Sequence, residues 1–203
     1  EARARKVALQ GSALALVLAA LASLGVLALR PGIAAIYTAH AGVAGGPDEW
    51  SSSAAFFDYD GDGFLDLFVV NYLHWSMAAE VDCFSRGGVP DYCSPLSYRA
   101  PARDRLYRNR GDGTFEDVTV AQGLDRAFGN GLGIATADFD RDGRVDVFVA
   151  NDAMPNQLWM NRHPDPFQDE GLRRGCAVNA TGIPRAGMGA VAFDLGDEGW
   201  FDL

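Results

Sequence analysis

Histidine is scarce in this chain of 203 residues: there are three, isolated from one another at His40, His74 and His163. No His-Glu-x-x-His run, nucleophile elbow or P-loop occurs, so the signatures of zinc proteases, α/β-hydrolases and P-loop enzymes are missing. Cysteine is as sparse, at three, and the spacing of Cys83 and Cys93 does not suit a zinc site. Lys and Arg number 17 against 27 Asp and Glu, for a net charge of −10. That balance, with no basic stripe carrying interleaved aromatics, argues against nucleic acid as a partner. Gly129-Asn130-Gly131-Leu132-Gly133 is glycine-rich, but a strand rather than a helix is expected after it. It reads as a tight connection where Gly permits close backbone approach, not as a dinucleotide loop.

The acid surplus is concentrated in a nine-residue loop that occurs twice and begins a third time. The first copy is Asp58-Tyr59-Asp60-Gly61-Asp62-Gly63-Phe64-Leu65-Asp66, the second Asp138-Phe139-Asp140-Arg141-Asp142-Gly143-Arg144-Val145-Asp146. Carboxylates at positions 1, 3, 5 and 9 describe an oxygen cage for a hard cation, and Ca²⁺ takes about six to eight oxygens in a tolerant geometry. The expected ligands are Asp58, Asp60, Asp62 and Asp66 with the Phe64 carbonyl, then Asp138, Asp140, Asp142 and Asp146 with the Arg144 carbonyl. Gly at position 6 marks a sharp turn. An EF-hand would need Glu at position 12 and flanking helices, but Val69 and Val149 stand there. The flanks, Ala54-Ala55-Phe56-Phe57 and Leu67-Phe68-Val69-Val70, are short apolar runs with aromatic and β-branched residues, and they read as strands. In the third copy, Asp194, Gly199 and Asp202 keep positions 1, 6 and 9, while Gly196 replaces the acid at position 3 and Glu198 stands at position 5. Asp194, Glu198 and Asp202 therefore form a weaker candidate site.

The repeat extends beyond the loop. Aligning Asp58 with Asp138 also aligns Ala55 with Ala135, Phe68 with Phe148, Val69 with Val149 and Asn71 with Asn151. Leu106-Tyr107-Arg108-Asn109 then corresponds to Leu158-Trp159-Met160-Asn161, and Phe115 and Asp117 to Phe167 and Asp169. Gly111-Asp112-Gly113 supplies a hairpin turn. Each unit is strand, acid loop, strand and hairpin, and four short strands at this period suggest a propeller blade. Arg110-Gly111-Asp112 spells an integrin-binding tripeptide, but its place in that turn has a structural reason.

These blocks resemble FG-GAP/VCBS repeats, the calcium-loop blades of propellers such as the integrin α head. The resemblance is closest to the cartilage acidic protein group, which usually ends in an ASPIC/UnbV domain. It rests on Ala55-Phe56-Phe57-Asp58-Tyr59-Asp60-Gly61-Asp62-Gly63, Asp104-Arg105-Leu106-Tyr107-Arg108-Asn109, Gly111-Asp112-Gly113-Thr114-Phe115 and Val149-Ala150-Asn151-Asp152. It implies an all-β fold, the N-terminal blades of a seven-bladed β-propeller over 36–203. Three blades cannot close a propeller, so further blades and any ASPIC/UnbV domain are expected beyond Leu203.

An apolar run over 7–29 follows Arg3, Arg5 and Lys6. It predicts a hydrophobic helix within a segment, 1–35, that is either a cleaved export signal or a membrane anchor. Export agrees with a disulfide between Cys83 and Cys93, which would staple a Gly- and Pro-rich insertion over about 72–102; Cys176 is left over. The expected function is a non-catalytic, Ca²⁺-binding extracytoplasmic scaffold for an extracellular or periplasmic protein or glycan. One alternative is the propeller part of an exported polysaccharide lyase or hydrolase. Another is a passive spacer in a membrane-anchored assembly.

Overall fold

The computed structural model describes residues 41–43 and 45–202. The helix expected over 7–29, and with it the signal or anchor segment 1–35, lies outside the described residues. Among those described, no helix is long and apolar enough to cross a membrane.

Two four-stranded antiparallel sheets carry the repeat. In the first, β1 (Glu49–Phe57), β2 (Asp66–His74), β5 (Arg105–Asn109) and β6 (Phe115–Asp117) lie side by side in that order. In the second, β7 (Gly131–Ala137), β8 (Asp146–Asn151), β9 (Gln157–Met160) and β10 (Gln168–Asp169) do the same. The registers coincide: Ala55 faces Phe68 and Phe68 faces Leu106, as Ala135 faces Phe148 and Phe148 faces Leu158. A bridge from Phe193 to Asp202 flanks the third acid loop. The described residues are thus all-β, a partial propeller with two blades followed by a third loop.

Side-chain alternation explains how the blades stack. Successive strand residues point to opposite faces. Val147 and Val149 of β8 join Phe57, Phe68, Val70 and Leu106 of the first blade in one core. Phe148 and Ala150 turn the other way, into a second core with Ala190 and Ala192. Every residue of β8 is therefore buried, whereas Phe56 of β1 is 60% exposed. The glycines at the entry to β7 set the spacing. A Cβ on Gly131 would lie 2.4 Å from Val70 Cγ1, and one on Gly133 would lie 2.6 Å from the Gly189 Cα. Hydrogen bonds cross the same boundary: Ser52 Oγ donates to the Gly131 carbonyl (2.7 Å), and the Tyr72 hydroxyl donates to Asp152 (2.9 Å).

A buried amide pins the far end of each blade. Asn71 N–H donates to Asp104 Oδ1 and its side-chain amide to the Arg103 carbonyl. Asn151 does the same with Asn156 Oδ1 and the Pro155 carbonyl. Asp104 thus occupies the place that Asn156 fills in the second blade. Burial pushes its carboxyl up to about 7, with the Asn71 N–H opposing.

Between β2 and β5 the chain makes an excursion, which begins after His74 and returns at Arg105. It holds the hairpin of β3 (Cys83–Phe84) and β4 (Pro90–Asp91) and a single-turn helix α1 (Pro95–Tyr98). The Cys83–Cys93 disulfide forms, with a Cα–Cα distance of 5.3 Å. Cys176 is a free, half-buried thiol among the described residues. The Arg110-Gly111-Asp112 turn is stabilised locally, since Asp112 Oδ1 accepts from Thr114 N–H (2.9 Å) and Oγ1 (2.6 Å).

Gly131→Ala should destabilise the protein by roughly 1–3 kcal/mol through overpacking at the blade boundary, read as a lower denaturation midpoint. Asp104→Asn should act in the opposite sense. A carboxyl whose folded pKa lies above its ordinary value of 3.8 favours folding only while protonated, so wild-type stability falls as pH rises from about 4 to about 7. Melting curves should show the Asn variant gaining on wild type across that window, reaching roughly 1–3 kcal/mol above it. A gap independent of pH would contradict this assignment.

Candidate metal centre

Each acid loop closes a hairpin between the first two strands of its blade. The aspartates at positions 1 and 9 accept most of the loop's backbone N–H groups, with single further bonds to Asp60, Asp62 and Asp142. At position 1, Asp58 accepts from the backbone N–H groups of Gly61 (2.8 Å), Asp62 (3.2 Å) and Gly63 (2.9 Å). Asp138 likewise accepts from Asp142 (3.1 Å) and Gly143 (2.9 Å). At position 9, Asp66 takes the N–H of Tyr59 on one oxygen (3.0 Å) and of Asn109 on the other (2.8 Å). Asp146 repeats this with Phe139 (3.0 Å) and Asn161 (2.8 Å). Both position-9 carboxylates are fully buried. Burial raises the pKa of Asp66, and it pushes Asp146 up to about 6, against the lowering effect of those N–H groups.

The sharp turn expected at position 6 is present, with φ of 88° at Gly63 and 84° at Gly143. A second left-handed residue, which the sequence did not betray, sits at position 4. Gly61 has φ 76°, and Arg141 adopts φ 60° there.

Positions 1, 3 and 5 converge. Ligand oxygens of Asp58, Asp60 and Asp62 lie within 4.8 Å of one another, as do those of Asp138, Asp140 and Asp142. Asp66 and Asp146 fall outside these groups of three; their oxygens carry N–H donors, and each retains a further lone pair. The carbonyls of Phe64 and Arg144 follow on the same loops.

Arginines balance the outer oxygens. Arg108 lies 2.7 Å from Asp60 Oδ2 and 3.3 Å from Asp62 Oδ2. In the second loop Arg162 contacts Asp140 Oδ2 (2.8 Å) and Asp142 Oδ2 (3.1 Å), Arg174 reaches Asp140 Oδ2 (3.3 Å), and Arg144 pairs with Asp142. Burial alone would raise Asp140, but Arg162 and Arg174 outweigh it and hold the carboxyl below its ordinary range. The other oxygen of the same group, Asp140 Oδ1, is buried with no hydrogen-bond partner. A buried carboxylate oxygen without a donor is costly. An all-oxygen donor set with such an orphan atom fits a hard cation.

The third loop retains the framework without the cage. Asp194 accepts from Glu198 N–H (3.0 Å) and Gly199 N–H (2.5 Å), and Asp202 from Leu195 N–H (3.1 Å). Asp197 repeats the left-handed position 4, at φ 52°. Asp194, Glu198 and Asp202 form no three-carboxylate group among the described residues. Arg141 of the second loop reaches across, donating to the carbonyls of Gly199 (2.7 Å) and Glu198 (2.6 Å) and stacking 4.0 Å from the Trp200 ring.

The division of labour predicts unlike effects for two neighbouring acids. Asp60→Ala should weaken divalent-cation binding at the first loop at least about tenfold and leave the metal-free melting temperature within a few degrees of wild type. Asp66→Ala strands two buried N–H groups and should cost roughly 2–4 kcal/mol with or without metal. Calorimetry on both variants, with and without chelator, separates the roles.

Comparison with known proteins matches residues 88–149 to an FG-GAP-like repeat. Cartilage acidic protein 1 from Xenopus tropicalis is 44% identical over 55 residues, and its Homo sapiens counterpart is 46% identical over 55 residues. The matched segment makes up 27% of this chain and 8% of either relative, so the chain spans less than a tenth of the relatives' length. Residues 88–149 thus carry an FG-GAP-like repeat, and a 55-residue segment of the chain is similar to cartilage acidic protein 1.

Proposed function

We propose that this chain contributes to a non-catalytic, calcium-stabilised, extracytoplasmic propeller scaffold that binds a protein or glycan partner. The orphaned inner oxygen of Asp140, within a cage of three carboxylates, carries the reading. A cation there would satisfy that atom and relieve the repulsion among Asp138, Asp140 and Asp142; Asp58, Asp60 and Asp62 offer the same set in the first blade. Ca²⁺ suits a loop of carboxylates and a carbonyl better than Mg²⁺, which demands near-ideal octahedral geometry and keeps several waters. The third loop keeps the acids at positions 1 and 9, which accept its backbone N–H groups, and lacks the acid at position 3. The role of the metal is structural: it fixes the turn that joins the first two strands of a blade. The Cys83–Cys93 disulfide supports an oxidising compartment.

Thermal unfolding of the full-length protein tests the reading. Saturating Ca²⁺ should raise stability by about 2.7 kcal/mol per site at a hundredfold excess over Kd. An Asp60→Ala/Asp140→Ala double variant should lose most of that gain. No shift with Ca²⁺, or an equal shift with Mg²⁺, would overturn it.

A further inference from the structure

At the end of the first blade away from its acid loop, the start of β1 and the excursion after β2 enclose a cavity of about 560 Å³. Its walls are aromatic. Trp50 and Trp75 lie with ring centroids 6.0 Å apart and planes tilted at 57°, and behind them Tyr72, outside the lining, meets Trp50 edge-on at 5.9 Å. Tyr92 and Tyr98, brought in by the disulfide-bonded excursion, complete the lining. Trp50 is 53% exposed and Tyr92 99%, so ring surface is available to a ligand.

Three carboxylates, Asp48, Glu49 and Glu80, supply the charge of the lining. Glu80 is held in place by Trp75 Nε1–H (2.6 Å) and the Tyr98 hydroxyl (2.9 Å). Those bonds, that from Trp75 foremost, keep its carboxyl below the ordinary range. Asp48 also lines the cavity, and its backbone carbonyl accepts from Trp75 N–H (2.8 Å). Among the described residues neither acid pairs with an arginine or lysine. Glu49, also in the lining, is neutralised by Arg105.

We propose that this cavity binds the arginine side chain of a partner protein. Ring faces attract cations, most strongly those of Trp. A planar guanidinium both stacks on such faces and donates to carboxylates. An anion would be repelled by Asp48 and Glu80. A neutral sugar would stack on the rings but would gain nothing from the negative charge of Asp48 and Glu80, which a guanidinium neutralises. The proposal rests on the scaffold reading for the existence of a partner, and not on metal occupancy.

The test titrates the full-length protein, in saturating Ca²⁺ and in chelator, with acetyl-Gly-Arg-Gly-amide and its citrulline analogue, following tryptophan fluorescence. The expected result is saturable binding of the arginine peptide in the millimolar range, with citrulline at least about tenfold weaker because it lacks the charge. Glu80→Gln keeps an acceptor for Trp75 and Tyr98 and removes the charge, and it should weaken the arginine peptide by a similar factor. An unchanged Ca²⁺-dependent melting curve certifies that variant as folded. Equal affinity for citrulline, undiminished binding by Glu80→Gln, no saturation at tens of millimolar, or preferential binding of a neutral disaccharide would each overturn the proposal. Loss of peptide binding with the Ca²⁺ melting shift intact sinks the cavity alone. The converse sinks the metal reading alone.

Discussion

The buried aspartate that ends each acid loop holds the rest in place. Asp66 takes one N–H from the second residue of its own loop and another from the end of the third strand of its blade, and Asp146 repeats the arrangement. One side chain thus closes the turn and fastens it to β5 or β9. Asn109 and Asn161 return the tie through their side-chain amides, to the carbonyls of Leu65 and Val145. With both ends of the loop fixed, the acids at positions 1, 3 and 5 have little freedom to separate. The fold thus holds three carboxylates together, and arginines compensate their charge from the outer side.

Blade stacking is the second constraint. Because β8 alternates Val147 and Val149 with Phe148 and Ala150, it is apolar toward both neighbours. A strand of that kind cannot stand alone in water; it requires a sheet on each side. Gly131 sets the closeness of one neighbour through Val70, and Gly133 that of the other through Gly189. Asn161 extends the acid-loop architecture across the same boundary by donating to the Tyr59 carbonyl (2.8 Å). The first acid loop is therefore supported by the second blade as well as by its own.

Much of this was legible in the sequence, for identifiable reasons. The alignment of Ala55, Phe68 and Leu106 with Ala135, Phe148 and Leu158 is the observed register, because alternation in a strand admits no one-residue slip without turning the core outward. The glycine at position 6 was legible because only an unusual backbone requires it. Position 4 was not, since Arg141 and Asp197 adopt the same left-handed conformation without glycine. Nor did spacing distinguish Asp58 and Asp66, which each accept two or more backbone N–H groups, from Asp60 and Asp62, which accept one each and also face Arg108. All are acids at alternating positions, and the distinction depends on where N–H groups fall in three dimensions. The excursion after β2 read as a loop because of its Gly and Pro content. Its gathering of Trp75, Tyr92 and Tyr98 beside Trp50 comes from the way it folds back, which has no counterpart in the second blade.

Arg141 has a consequence for cooperativity. It belongs to the second loop, yet its guanidinium bonds the carbonyls of Glu198 and Gly199 and covers Trp200. Opening the third loop exposes that side chain, and opening the second withdraws it. Local unfolding in such a molecule has no natural stopping point at the edge of a blade. An ion held by Asp138, Asp140 and Asp142 would slow amide exchange in a neighbouring loop that lacks the acid at position 3.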